Sequence, residues 1–341
     1  MKILYAIQGT GNGHLSRAIA VVPELMKHGA VDVLISGTQS QIEFPFPVKY
    51  RFKGLSFVPS RAGGVHILKT LLTLKPFRFW KEINSVPVED YDLVVTDFEP
   101  VSAWACKRKG IPCMEMSHQA AVRDSASPQT TRAFPLGRWI IKNYCPSTSS
   151  IGFHFENYSN ATYQPILRKE IITAIPTQGD SYVVYLTGYS DDAIVQVLGS
   201  VEAPFTVFSK EIKQEVQRGN CCIKPISNQN FLKELIECKG VICGAGFELP
   251  AEALYLKKKL LVIPYANHYE QHCNAAAAGK LGAKVLFSLS DKDIPSIQSW
   301  CDTNNEIVYD WKDPLSFSVQ RVLTEAHPTK GILATKNTLI P

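Results

Sequence analysis

Long hydrophobic runs are missing from this chain of 341 residues. No apolar stretch approaches the roughly 18–20 residues of a membrane-spanning helix. The opening MKILYAIQGTGNGH turns to polar glycines after a few apolar positions, so it reads as a first strand rather than a secretory leader. The nine cysteines include no C-x-x-C pair, and only Cys221 and Cys222 are adjacent. That spacing excludes a cysteine metal framework and suits reduced thiols in a cytoplasmic protein. Acid is absent where base is most plentiful: Phe44 to Lys81 holds eight Lys and Arg and no Asp or Glu.

What is present is ordinary for a soluble globular protein, with 45% hydrophobic and 20% charged residues. The length suits two domains of about 150 residues. Net charge is +5 but uneven: residues 1–150 carry 18 basic against 11 acidic side chains, and the remainder carries 18 against 20. In the stretch 44–81, Phe52, Phe57, Leu71, Phe77 and Trp80 alternate with the cations. Two readings stay open for it. One is a surface for an anionic membrane or an anionic acceptor; the other is a core segment whose Lys and Arg face water. No nucleic-acid motif accompanies the patch, so nucleic acid is not an expected partner.

Strand signals alternate with helix signals along both halves. Residues 2–7 (KILYAI) form a buried strand that breaks at Gly9-Thr10-Gly11-Asn12-Gly13-His14, and a helix follows to Gly29. A dinucleotide fingerprint fails here: its third glycine falls on His14, and the next strand ends in Ser36-Gly37-Thr38 with no acid for a ribose. Leu93 to Thr96 is a strand running into Asp97-Phe98-Glu99-Pro100, and Pro100 suits a helix start. Residues 111–116 are a strand before Ser117-His118-Gln119, and 123–135 read as a loop facing a cleft. The second half restarts at Tyr182 to Leu186, leading to Thr187-Gly188.

The most informative stretch is Val241–Asn274. It gives a strand, the turn Gly244-Ala245-Gly246, a helix with Glu248 and Glu252 one turn apart, and the strand Leu260 to Pro264. A polar loop with His268, Glu270 and Gln271 then precedes an Ala-rich helix from Asn274. Glycine turns and free helix amides at strand ends favour an anionic group such as phosphate. The pattern predicts an α/β protein of two doubly wound domains facing a cleft. Residues 1–155 form the first domain, 156–165 a linker, 166–325 the second, and 326–341 a tail.

Taken together, GTGNGHLSRA, TDFEP and CGAGFELPAEAL…LLVIPYANHYEQHCNAAA resemble the GT-B glycosyltransferases. The likeness is strongest to the inverting group that uses UDP-sugars. It includes the UDP-glycosyltransferases and the bacterial enzyme that adds N-acetylglucosamine to lipid-linked peptidoglycan precursors. The resemblance spans roughly residues 1–287. It implies two Rossmann-like domains, the first binding acceptor and the second a UDP-sugar donor.

The resemblance further implies a role for each matched position. Gly244, Ala245 and Gly246 would meet the diphosphate, Glu252 the ribose, Glu270 and Gln271 the transferred sugar, and Gly188 a second phosphate-facing loop. His14 falls on the family's general base and Asp97 on the acid that orients it. Gly11, Asn12, Gly13, Glu99 and His118 would border acceptor or phosphate, and Asp97 or Glu99 is the alternative base. Retaining relatives carry a glutamate eight residues before the position of Glu252; here that residue is Gly244, which favours inversion. No cofactor and no obligatory metal are expected. The acceptor would be a hydroxyl, on a lipid or cell-envelope glycan precursor, with the protein cytoplasmic or peripheral at the inner membrane face. Two other readings share the fold: a UDP-sugar 2-epimerase, and a non-catalytic nucleotide-sugar or lipid-binding protein.

Overall fold

The computed structural model describes residues 1–37, 43–55, 75–303 and 307–326. Half of the basic segment 44–81 and nearly all of the tail therefore lie outside the described residues. The first half runs β1 (Lys2–Gln8), α1 (Asn12–Met26), β2 (Ala30–Ser36), β3 (Val48–Phe52), α2 (Pro76–Ser85), β4 (Leu93–Asp97) and α3 (Pro100–Lys109). It continues with β5 (Met114–Ser117), α4 (His118–Arg123), α5 (Pro135–Asn143), β6 (Ser149–Phe153) and β7 (Thr162–Tyr163). These strands make one parallel sheet in the order β3-β2-β1-β4-β5-β6-β7. β7 falls inside the stretch expected to be linker.

The second half runs α6 (Lys169–Ile172), β8 (Tyr182–Tyr185), α7 (Asp191–Leu198), β9 (Phe205–Ser209), β10 (Val216–Arg218), β11 (Cys221–Pro225) and α8 (Asn228–Glu237). Then come β12 (Gly240–Gly244), α9 (Glu248–Tyr255), β13 (Lys259–Ile263), α10 (Tyr269–Lys280), β14 (Lys284–Val285), α11 (Ile294–Asp302) and α12 (Leu315–Ala326). Its sheet has the order β10-β11-β9-β8-β12-β13-β14, antiparallel only at β10. The residues around Glu211 make bends between β9 and β10.

Central strands such as β1, β4 and β13 are buried along nearly their whole length, as a sheet covered on both faces requires. On one face of the first sheet, Leu15, Ala18, Val22 and Leu25 of α1 pack on Ile3, Tyr5 and Ile7. On the other, Ile83, Val101, Cys106 and Ile141 of α2, α3 and α5 pack on Leu4, Ala6 and Val94. This division follows from right-handed crossovers, because strand order reverses at β1. The last helix crosses back to the first sheet: Ser316 Oγ donates to Glu24 Oε1 (3.0 Å), and Ser149 Oγ donates to Glu325 Oε2. In space α12 belongs with residues 1–163, although sequence placed it with the second domain.

Two consecutive buried lysines hold the second sheet's helices in place. Lys258 Nζ donates to the carbonyls of Ile236 (2.7 Å) and Cys238 (2.8 Å) at the end of α8. Lys259 Nζ reaches Trp300, Cys301 and Thr303 at the end of α11. Both cations thus satisfy orphan helix carbonyls and face the negative dipole ends.

Gly152 marks the tightest approach in the first domain, since a Cβ there would sit 2.6 Å from Ala121 Cα. Backbone meets backbone, so nothing flexible can give way. Gly152→Ala should therefore lower the unfolding free energy by about 1–3 kcal/mol. Urea denaturation checks this, and an unmoved midpoint would show that β6 and α4 can separate freely.

Candidate active site between the two sheets

The carboxyl ends of both parallel sheets face one cleft, and each functional side chain comes from a loop or helix start at those ends. In the first domain, β1 passes through Gly11, whose φ of 107° favours glycine, into α1. His14 and Arg17, three residues apart, share a face of that helix. Opposite them β4 ends in Asp97, which is completely buried. His14 Nδ1 lies 2.9 Å from Asp97 Oδ1. Arg17 donates twice to the same carboxylate, from Nε to Oδ2 (2.9 Å) and from Nη2 to Oδ1 (2.8 Å). Burial pushes the Asp97 carboxyl up, but the Arg17 cation and His14 together hold it below the usual carboxylate range. Phe98, next in line, adopts φ of 55°, a left-handed backbone that costs a non-glycine residue about 1–3 kcal/mol. His14 Nε2 has no protein partner among the described residues.

In the second domain β12 ends at Gly244, and Gly246 stands in open space, with nothing within 4 Å of where a Cβ would be. Glu248 opens α9, and its carboxylate crosses the cleft to Arg17 (Nη1–Oε1, 2.8 Å). It fits because residue 13 is glycine: a Cβ there would lie 2.7 Å from the Glu248 carboxylate. Glu252, one turn further, is buried in a bidentate pair with Arg168 (2.6 and 2.8 Å). Burial pushes its carboxyl up, and Arg168 offsets only part of that push.

Glu270 and Gln271 differ from expectation in one respect. They sit in the first turn of α10, which starts at Tyr269 rather than at Asn274, so they are not loop residues. His268 caps the helix by accepting from Gln271 N. Gln271 Oε1 then accepts from Tyr265 N (2.9 Å), which positions the loop. The Tyr265 ring covers Gly188 and leaves no room for a Cβ there, and Thr187 Oγ1 meets the Tyr265 hydroxyl.

His118 bridges the domains rather than lining an acceptor loop. Its Nδ1 pairs with Phe153 O (2.8 Å), its Nε2 with Asn274 Oδ1 (2.9 Å), and its ring stacks on Phe247 at 3.9 Å. Burial pushes the imidazole down, with Glu270 opposing. Beside it Gln119 Nε2 donates to Glu270 Oε2 (3.1 Å). Burial pushes Glu270 up, but His118, His268 and Gln119 draw it below the usual range.

Glu99 does not reach the cleft. It is fully buried, and its two oxygens accept from Val101 N and Ser102 N at 2.7 Å each, capping α3. That geometry leaves it no part as base or acceptor contact. The structure thus gathers Gly13, His14, Asp97, Glu248 and Glu270 around one cleft and sets Glu99 aside.

Arg17, Gln119, Arg168 and Asn274 were not singled out by sequence. Arg17 carried the one readable signal, a basic residue three places after His14 on a helix. Outside the cleft, an open groove of about 740 Å³ runs along α5, with Lys107, Arg123, Arg138 and Lys142 in its wall and no carboxylate. Among the described residues no group of three or more His, Cys, Asp or Glu is placed to hold a metal.

The family model described as glycosyl transferase family 1 matches residues 1–302. No curated protein matches the sequence. Similar solved structures include Acinetobacter baumannii MurG, with TM-score 0.52 and 14% identity over 87% of this chain and 89% of that one. Another is Arabidopsis thaliana UGT89C1 with UDP, at 0.59 and 11% over 95% and 99%. A third is Phytolacca americana UGT2 with UDP-2fluoro-glucose and pterostilbene, at 0.57 and 12% over 95% and 93%. At such identities the likeness is one of fold, and the fold is GT-B.

The lowered Asp97 carboxyl has a consequence for stability. A depressed carboxylate contributes fully above its unfolded value of about 3.9 and loses that contribution as pH falls through the folded value. The stability gap between wild type and Asp97→Asn should accordingly be widest at neutral pH and close below about pH 4. Urea melts from neutral to acid pH measure it; a constant gap would contradict the assignment.

Proposed function

Because this chain belongs to glycosyl transferase family 1, we propose that it transfers a sugar from a UDP-sugar to an acceptor hydroxyl with inversion at the anomeric carbon. The observation that carries this reading is the His14–Asp97 pair in one domain facing the Gly244–Gly246 turn and Glu270 in the other. Asp97 holds Nδ1 of His14, so Nε2 is free to take the acceptor proton. The hydroxyl oxygen then attacks C1, the C1–O bond to UDP breaks, and the leaving diphosphate collects the electrons. Amides at the Gly244–Gly246 turn and the α9 start supply stabilisation for that charge. Glu270 and Gln271 accept from and donate to sugar hydroxyls. No metal enters this scheme. UDP is the nucleotide bound in two of the fold relatives, which supports the donor class.

An anionic, lipid-linked acceptor at a membrane surface suits the first domain's outer helices. Phe77 is 91% exposed, Trp80 55% and Trp139 62%, and Arg108 stacks over the Trp80 ring at 3.8 Å. The groove along α5 is walled by Lys107, Arg138 and Lys142, the first two being chain neighbours of Arg108 and Trp139. Aromatic rings beside cations match the interfacial region of an anionic bilayer. No helix among the described residues is long and apolar enough to cross a membrane.

A UDP-release screen over common UDP-sugars, with lipid and sugar acceptors, tests the chemistry. His14→Ala should lower turnover by about 10²–10⁴-fold while UDP binding persists. UDP-sugar interconversion without acceptor would identify the epimerase reading, and binding without turnover the non-catalytic one. Flotation with phosphatidylglycerol vesicles tests the surface. Replacing Trp80 and Trp139 by Ser and Arg108 by Glu should weaken partitioning about tenfold or more, at about 1 kcal/mol per basic residue. Unchanged flotation would sink the membrane proposal.

A further inference from the structure

Where a bare carboxylate is expected to read the ribose, the cleft presents a guanidinium. Arg168 lies in the segment between the two sheets, anchored by buried Ile166 and Leu167. Its Nε and Nη2 pair with the two oxygens of Glu252, and its Nη1 donates to Asn228 Oδ1 at 3.1 Å. An arginine has five N–H groups. Three are engaged here, so two have no protein acceptor among the described residues. The Arg168 side chain is 20% exposed and that of Glu252 only 6%. A ligand entering from solvent therefore meets the cation first.

A neutral hydroxyl is a poor competitor for a carboxylate already bound in a buried bidentate pair, because displacing the arginine would leave an uncompensated charge. Ribose must bind to the pair rather than in place of Arg168. The pair is equipped for it. Each Glu252 oxygen keeps a second lone pair that can accept from a hydroxyl, and the two spare N–H groups can donate to hydroxyl oxygens. Asn228 opens α8.

We propose that Arg168 is a donor-recognition residue that reads the ribose hydroxyls jointly with Glu252. This rests on the nucleotide-sugar reading above and adds to it a residue from outside the donor-domain motifs. It makes the ribose 2′-hydroxyl a point of discrimination.

The test is calorimetric binding of UDP and 2′-deoxy-UDP to the full chain, wild type and Arg168→Lys, with inorganic pyrophosphate as a ribose-free control. Wild type should prefer UDP about tenfold, as expected where a polar site loses a hydroxyl partner. Arg168→Lys keeps the charge but not the fork. It should weaken UDP about tenfold, shrink the preference to about threefold or less, and leave pyrophosphate binding unchanged. Equal weakening of UDP and 2′-deoxy-UDP would assign Arg168 a structural role only, and no change in either would also overturn the proposal.

Thermal melts report whether Arg168→Lys is folded at the assay temperature. Should it not be, Arg168→Gln combined with Glu252→Gln is compared with Glu252→Gln alone: a smaller ribose preference in the double variant supports the role of Arg168, and an equal one overturns it. If wild type binds another nucleoside diphosphate instead of UDP, the UDP reading fails and the matched ribo and deoxyribo pair of that nucleotide decides the role of Arg168. If it binds none, both readings fall.

Discussion

A fully buried carboxylate needs a cation, and in this fold Asp97 has Arg17. Asp97 ends a central strand with no exposure to water, and Arg17 covers both its oxygens from the neighbouring helix. Removing one partner of such a pair typically costs about 3–5 kcal/mol, because the other is left charged and dry. Around that fixed pair the other groups take their places. His14 shares Oδ1, and Glu248 takes the remaining edge of the guanidinium from across the cleft. Glycine at 13 and the left-handed Phe98 are local concessions to the same packing. An imidazole held in this way keeps one ring nitrogen committed and leaves the other without a protein partner among the described residues.

The same arrangement sets how the two domains meet. Their contact is apolar at its centre, where Phe155 stacks on Phe247 at 5.5 Å and the His118 ring lies over Phe247. Polar pairs surround it: Arg17 with Glu248, Gln119 with Glu270, His118 with Asn274. Charged and hydrogen-bonded pairs of this type contribute little net affinity but penalise any misaligned approach. They fix register, so that His14 arrives opposite the glycine turn. One of these pairs, Gln119 with Glu270, joins a group from the first domain to a residue expected to touch donor.

How far sequence reveals this depends on range. The parallel strands, the glycine turns and the helix with acids one turn apart were readable, because each signal lies within a dozen residues. Glu270 and Gln271 were recognisable by resemblance, but their helix was not: His268 caps it with an imidazole, and its polar first turn looks like loop. Glu99 follows a strand and precedes Pro100, which suits a helix-start acid more than a cleft acid, and both its oxygens do cap α3. Arg168 gave no local signal as a site residue, and Arg17 gave only its place three residues after His14, for a simpler reason. Their carboxylate partners lie 80 and 84 positions away, and no local pattern encodes a contact at that range.

Those two arginines resolve a difficulty that the sequence poses and leaves unanswered. Glu248 and Glu252 lie one turn apart at the start of α9, where like charges repel each other. Two unscreened carboxylates there would also repel any diphosphate brought to the adjacent turn. The structure answers each acid with its own arginine, Arg17 from the first domain and Arg168 from the connecting segment. With both acids neutralised, the helix amides and dipole again dominate the local field and favour an anion. Arg17 reaches Glu248 because the two domains meet, so the contact between them offsets the acid beside the glycine turn. The second domain's side of the cleft is therefore completed electrostatically by residues that lie outside that domain's motifs.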